Sequence, residues 1–124
     1  MKFLILIYSN PVSRQIWDGL SDEQRAEGWR AYAALSEDLA ASGEMIVSEA
    51  LADPSLGKRV SVRDGKAMTS DGPFAEVKEH LAGFFLIESE SIERAVSHAA
   101  RIPEAAYGLV EVRPVLDVSG MMEM

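Results

Sequence analysis

The sequence predicts a mixed α+β fold: one domain in which a β-hairpin separates two strand–helix–strand halves. Three observations predict it. Apolar runs at residues 2–8 and 82–88 have the composition of buried strands. Two segments, at about 21–42 and 90–101, repeat apolar residues at helical spacing. Between the halves, Asp64-Gly65 is a two-residue hairpin signal flanked by short alternating segments.

Local signals bound the elements of the first half. The first strand is apolar on both faces, and Asn10-Pro11 ends it. The first helix begins at a capping box, in which Ser21 accepts an amide of the first turn and Gln24 reaches back. Gly43 supplies the left-handed residue that stops this helix.

The remaining strands follow from alternation and turns. Glu44–Leu51 is the second strand, and residues 59–63 and 66–70 form the hairpin. After the second helix, Tyr107–Val118 is the last strand. Pro114 removes a backbone donor from it, which places its far end at a sheet edge or in a subunit contact.

The predicted order matches the ferredoxin-like pattern, with residues 1–118 as one domain and 119–124 as a loose tail. Right-handed crossovers put both helices on one sheet face. The strands at 2–8 and 82–88 also carry apolar side chains on the other face. We therefore expect a second copy of the chain to cover that face, which makes the protein a homodimer.

Composition limits the classes of function. The 124 residues carry a net charge of −8, which argues against nucleic-acid binding through a broad basic face. The absence of cysteine removes disulfides and thiolate chemistry and fits a cytoplasmic location. The apolar run at residues 3–7 is too short to span a bilayer and lacks a cleavage site, so we expect no membrane partner.

A longer signature runs from Asp71 to Glu88, reading DGPFAEVKEHLAGFFLIE. A polar turn leads into a charged segment and then into an aromatic strand. Together with the opening KFLILIY, EAL at 49–51, VRDG at 62–65 and VEVRP at 110–114, it closely resembles the DGPF-domain branch of the YCII-related family. The resemblance implies a ferredoxin-like dimeric α/β barrel.

The resemblance implies less about activity, because the family is mostly uncharacterised. Relatives proposed to be enzymes carry a His on the first helix and an Asp just before the Pro that ends the second. Alignment by eye places Tyr32 and Ile102 at these positions. Neither replaces its counterpart at neutral pH, so the family's acid/base pair does not transfer to this chain.

The charged part of the signature is the first candidate for a ligand site. A Glu and a Lys beside a glycine-proline turn suit an anionic or carbonyl ligand. The alternative is an exposed turn held by its own ion pairs. The candidate ligand-binding residues are Asp71, Glu76, Lys78, Glu79, Tyr32 and Glu49.

Other side chains have structural explanations beside functional ones. Tyr8, Trp29 and Tyr32 either line a cavity between helix and sheet or belong to the core. His98 lies off the apolar stripe of the second helix, which predicts a solvated flank residue. The three strand arginines either recognise a carboxylate or form the wet face of a sheet. They are Arg59, Arg63 and Arg113.

No soft metal-ligand spacing is present, so we expect neither zinc nor iron and no cofactor. A hard-cation site at Glu49, Glu76 and Glu79 is less favoured than ordinary surface carboxylates.

Two hypotheses of function remain. The first is a binder of a small polar or anionic metabolite near the 71–80 segment, with lyase- or isomerase-type catalysis suggested by fold relatives. The second is a non-catalytic regulatory or interaction module linked to extracytoplasmic-function sigma factor systems, an association that the family resemblance implies. Whether the protein is an enzyme is open at this point.

Overall fold

The computed structural model describes residues 1–74 and 76–122. The chain contains six strands and four helices within these residues, and two 3-10 turns lie at Pro54–Leu56 and Pro103–Tyr107. The strands are β1 (Lys2–Ser9), β2 (Met45–Ala50), β3 (Lys58–Arg63), β4 (Lys66–Asp71), β5 (His80–Glu88) and β6 (Val110–Pro114). The helices are α1 (Pro11–Gly19), α2 (Asp22–Ser42), α3 (Ile92–Ala99) and α4 (Ser119–Met122).

Four strands form one sheet in the order β2-β5-β1-β6, and all neighbours are antiparallel. The apolar runs predicted as central strands are β1 and β5, which occupy the middle of the sheet. β6 is an edge strand, and Pro114 lies opposite Phe3 at its end. The position of Pro114 on an edge strand agrees with its missing backbone donor.

The core lies between one face of this sheet and the helices α2 and α3. Phe3, Ile5 and Ile7 of β1 alternate inward, as the two-residue period of a strand requires. The cluster also contains side chains from β5, both helices and the turn after α3. These are Phe85, Ile87, Leu35, Leu39, Ala95, Ala99 and Ile102.

The opposite sheet face is also apolar but less completely buried. Leu4 pairs with Leu86 and Leu6 with Phe84 across β1 and β5. Leu6 is buried, while the other three side chains are half-buried. This face therefore keeps accessible apolar surface.

Strands β3 and β4 form a separate two-stranded sheet. The hairpin turns at Asp64 and Gly65, both with positive φ, as the Asp-Gly signal predicts. Each of its strands is exposed almost throughout, and Val60 and Val62 are 66% and 70% exposed. Because they are exposed, these apolar side chains are available for a further contact. Such a contact would also stabilise the hairpin, since an isolated two-stranded hairpin is marginally stable in water.

Three segments differ from the sequence-based expectations. Asn10-Pro11 ends β1 but also begins helix α1: Asn10 and Ser13 form a capping box with Pro11 at the first helical position. The last strand is shorter than predicted at both ends: a 3-10 turn at Pro103–Tyr107 and the positive φ of Gly108 delay its start, and it ends at Pro114. At the predicted loose tail, residues 119–122 form the short helix α4.

Among the described residues, none of the helices combines the length and apolar character needed to cross a bilayer.

Candidate functional site

Two open cavities lie where α1 and α2 meet the sheet and the turn after α3. The first, the helix cavity, has a volume of about 490 Å³ and lies mainly against α1 and α2. The second, the sheet cavity, has a volume of about 430 Å³ and extends to β2 and β5. Trp17, Tyr32 and Glu104 line both. The three side chains thus mark the junction between the cavities.

Aromatic rings form the walls at this junction. Trp17 of α1 meets Trp29 of α2 edge to face, with ring centroids 5.4 Å apart. Tyr32 lies one helical turn from Trp29 and stacks on Phe85 of β5 at 6.5 Å. Gly28 faces Trp17, whose ring lies 3.4 Å from where a Cβ added at this glycine would stand, a van der Waals contact. The α1 ring therefore packs directly on the backbone of α2.

The polar centre of the junction is a hydrogen bond. The Tyr32 hydroxyl donates to Glu104 Oε1 at 2.5 Å. Burial, then the hydrogen bond and the negative charge of Glu104, raise the pKa of Tyr32 far above its ordinary value. Tyr32 therefore stays protonated at neutral pH and acts as a donor, while Glu104 offers its remaining oxygen lone pairs to the cavities.

A basic pair lies beside the helix cavity. Arg14 of α1 lines this cavity, and its Nη2 lies 2.8 Å from Nδ1 of His80, the first residue of β5. Arg14 Nε and His80 Nε2 are both buried, and neither has a hydrogen-bond partner within the described part of the chain. This contact joins the end of the 71–80 segment to the cavity wall.

The residues predicted from the sequence to bind a ligand do not lie together. Tyr32 and Glu49 both line the sheet cavity. Glu76 and Lys78 are exposed. Glu79 borders two shallower depressions, one beside Tyr8 and one beside Phe74.

Asp71 and its neighbours hold the 71–80 segment against the hairpin. Asp71 forms an ion pair with Lys58, its register partner across β3 and β4. The Gly72 amide donates to the Gly57 carbonyl at 2.9 Å, and Arg59 lies 4.5 Å above the Phe74 ring. These contacts anchor the backbone of the turn, and the partner of the Asp71 carboxylate is Lys58.

A second polar cluster, centred on Glu44, lies at the other end of β5. Glu44 accepts hydrogen bonds from Ser42 at 2.8 Å, from Arg94 at 2.9 Å and from Ser89, and His98 Nε2 lies 3.0 Å from its carboxylate. Arg94 is the largest cause that holds the pKa of Glu44 well below its usual range. The hydrogen bonds from Ser89, Ser42 and His98 add to it, and burial opposes them.

The prediction for His98 was wrong. Its side chain is 8% exposed and packed beside Glu44 rather than solvated on a helix flank. The partner comes from a residue 54 positions earlier in the chain, so helical periodicity alone did not reveal it.

Sequence reasoning missed Arg14, Trp17 and Glu104. The first two lie on α1, and the capping box at Asn10 and Ser13 was the signal that would have revealed this helix. Glu104 follows Pro103 at the start of a 3-10 turn, where the sequence predicts only a link between the second helix and the last strand. Ile102, aligned with the relatives' Asp, is buried in the core, and the carboxylate near Tyr32 comes from two residues later.

Within residues 1–74 and 76–122, no three side chains of His, Asp or Glu come close enough to hold a metal ion. Tyr8 donates a hydrogen bond of 2.9 Å to Glu111 and lies outside the walls of both cavities.

The fold and cavities define a class: a small α/β protein with an aromatic cleft and a half-buried tyrosine–carboxylate pair. The chain belongs to the YCII-related domain family, whose model matches residues 1–119. An uncharacterised protein of Rhizobium meliloti is 28% identical over 117 residues, covering 93% of this chain and 92% of the relative.

A solved structure also resembles the chain. It is 5-chloro-2-hydroxyhydroquinone dehydrochlorinase from Burkholderia phenoliruptrix in complex with 2,5-dihydroxybenzoquinone. The two share 24% identity, and the alignment covers 94% of each chain with a TM-score of 0.50. At this level of identity the likeness concerns the fold.

Proposed function

We propose that the protein binds a small polar or anionic metabolite with a planar ring in the two cavities that meet at Tyr32. The observation that carries this proposal is the combination at the junction of aromatic walls with one hydrogen-bonded carboxylate, Glu104. Apolar walls with a few placed polar groups are the usual composition of small-molecule sites. The cavity volumes, about 490 and 430 Å³, fall within the range of such sites.

The ring and the polar substituents of the ligand have separate partners. Trp17, Tyr32 and Phe85 offer faces and edges to a planar ring. Glu104 accepts a hydrogen bond from a hydroxyl or an amine, because Tyr32 occupies one of its oxygens and leaves others. The Burkholderia dehydrochlorinase acts on a small hydroxylated ring, which supports this choice of ligand class by analogy of fold.

For the reaction class, we propose lyase- or isomerase-type proton abstraction with Glu104 as the proton acceptor. Tyr32 holds the carboxylate in place and, with its raised pKa, does not itself accept a proton at neutral pH. This step depends on ligand binding in the cavities and is tested separately, by turnover of a ligand once one is found.

Isothermal titration calorimetry with phenol, hydroquinone and benzoate tests the binding proposal. Ala31 lines the helix cavity, whereas Ala33 is an exposed residue of the same helix. Ala31→Leu should fill part of the cavity and weaken binding about tenfold or more, and Ala33→Leu should leave binding unchanged. If no ring compound binds wild type at millimolar concentration, or if both variants bind alike, the cavities are not the site.

We also propose that the chain forms a homodimer, with ferredoxin-like halves that join into a dimeric α/β barrel. The half-buried apolar side chains Leu4, Phe84 and Leu86 support a sheet-to-sheet contact. The exposed Val60 and Val62 of the hairpin support an additional contact. Among partner proteins, a second copy of the chain is favoured, because most soluble oligomers are symmetric homo-oligomers and two-fold dimers are the commonest.

Sedimentation at micromolar concentration tests the homodimer. Val62→Asp changes an exposed side chain, so it should shift the equilibrium toward monomer without unfolding the core. Thr69, on the same hairpin, provides a polar control, Thr69→Ser. A wild-type monomer at these concentrations contradicts the assembly.

The 71–80 segment enters this proposal through His80 and its contact with Arg14. Tyr32 and Glu49 of the sequence-predicted set remain in the proposed site because they line the sheet cavity. Asp71, Glu76, Lys78 and Glu79 stay outside it. A change in ligand affinity on replacing Lys78 would return them to the site.

A further inference from the structure

We propose that Arg14, oriented by His80, forms a subsite for the carboxylate group of the ligand, so that the cavity selects aromatic monocarboxylates over neutral rings. This inference deepens the proposed function and rests on it, because the ring must first occupy the cavities. It starts from Arg14, a cation that lines the helix cavity and forms no ion pair with any of the described residues.

The contact between the two side chains determines where their protons lie. A guanidinium only donates hydrogen bonds, so at 2.8 Å the Arg14 Nη2 must donate and His80 Nδ1 must accept. His80 Nε2 is buried and His80 does not line the helix cavity, so the imidazole acts on this cavity only through its contact with Arg14.

A cation in an apolar cavity is partly desolvated, and an anion bound beside it supplies acceptors for its N–H groups. His80 fixes the orientation of the guanidinium, because it holds one of its five N–H groups. Arg14 Nε is buried, so the ligand is bound by the remaining terminal N–H groups.

The charges around the cavity favour a monoanion. Arg14 shares the helix cavity with the carboxylates of Glu27 and Glu104. A dianionic phosphate meets stronger repulsion from these two groups than a carboxylate does. The planar carboxylate also matches the planar guanidinium, and its ring extends toward Trp17, which lines the same cavity.

The test compares benzoate with its neutral isostere benzamide and with inorganic phosphate, by titration calorimetry at constant ionic strength. Wild type should bind benzoate about tenfold more tightly than benzamide, and phosphate more weakly than benzoate. Arg14→Met should remove the preference by weakening benzoate alone. Arg63→Met, which removes an exposed hairpin cation, should retain it.

The outcomes of this test separate this inference from the proposed function. If benzamide binds as tightly as benzoate, or if Arg14→Met retains the preference, the cavity binds rings but Arg14 is not a carboxylate subsite. If phosphate binds more tightly than benzoate, the charge argument is wrong. If no ring compound binds, both proposals fail.

A second variant protects the test against misfolding. Arg14→Lys keeps the positive charge but replaces the planar fork by a single ammonium group. We expect it to retain part of the benzoate preference, between wild type and Arg14→Met. Equal binding of benzoate by Arg14→Lys and Arg14→Met, with both folded by circular dichroism, contradicts a role for the charge at this position.

Discussion

The two ends of strand β5 carry polar clusters of opposite character. At the far end, beyond Glu88, the Glu44 carboxylate has four partners and sits beside the buried His98. At the near end, Arg14 contacts His80, lines the helix cavity and forms no ion pair in the described chain. The charges of the first cluster are paired within the chain, which indicates a structural role. The charge of Arg14 has no such partner and lies beside a cavity, which indicates a binding role.

Replacing Glu44 should produce the largest effect on stability. Glu44→Ala leaves the buried His98 and Ser89 without their shared acceptor. We expect the free energy of unfolding to fall by about 2 kcal/mol. Glu90→Ala removes an exposed carboxylate that borders the same open depression as Glu44, and it should lower the free energy of unfolding by less than about 0.5 kcal/mol. Urea denaturation measures both, and equal losses would remove the distinction between the clusters.

Acid should weaken the same end of β5. The folded-state pKa of Glu44 lies below its ordinary value of 4.5, chiefly because of Arg94. Its contribution to stability is therefore complete above pH 4.5 and is lost as the pH falls below that value. Urea denaturation at about four pH values between 3 and 7 measures this. The free energy of unfolding should fall more steeply with decreasing pH for wild type than for Glu44→Ala. Parallel curves would contradict this.

The Tyr32–Glu104 pair combines features of both clusters. Its two side chains are hydrogen-bonded to each other, as in the Glu44 cluster, but they line the cavities, as Arg14 does. Tyr32→Phe removes the donor and should cost about 1 kcal/mol of stability. If the protein turns over a ligand, Tyr32→Phe should lower kcat by much less than a thousandfold, because Tyr32 is not the proton acceptor. A loss near a thousandfold would assign the proton transfer to Tyr32.

The smallest effect is expected at Lys78, an exposed cation of the 71–80 segment. Lys78→Met should change stability by less than about 0.5 kcal/mol. It should also leave benzoate affinity unchanged, in contrast to Arg14→Met. Calorimetry that shows weaker benzoate binding by Lys78→Met would extend the site to the segment and support the sequence-based set of ligand residues.

The sequence predicted the elements whose signals are local. Ser21, Gln24 and Gly43 define both ends of α2, and the structure places Ser21 and Gly43 as its caps. The pairing of β1 with β5 follows from two apolar runs that must both be buried. Helix α1 was missed because Pro11 was interpreted only as the end of a strand, although proline is also common at the first position of a helix.

The candidate site was harder to predict because its parts are distant in sequence. Arg14 meets His80 from 66 positions away, and Tyr32 meets Glu104 from 72. No spacing rule links such pairs. The sequence-based prediction therefore relied on the charged residues of the 71–80 segment, and most of these are exposed. His98 shows the same limit, since its partner Glu44 lies between α2 and β2, far from α3 in the sequence.

The cavity walls contain both tryptophans of the chain, Trp17 and Trp29, in contact with each other. All indole fluorescence of this protein therefore originates at the proposed site. A ligand that enters the cavities changes the polarity around these two rings, or quenches them, while the rest of the molecule emits no indole signal. Tryptophan emission is thus a label-free optical reporter of cavity occupancy, built into the chain without any engineered probe.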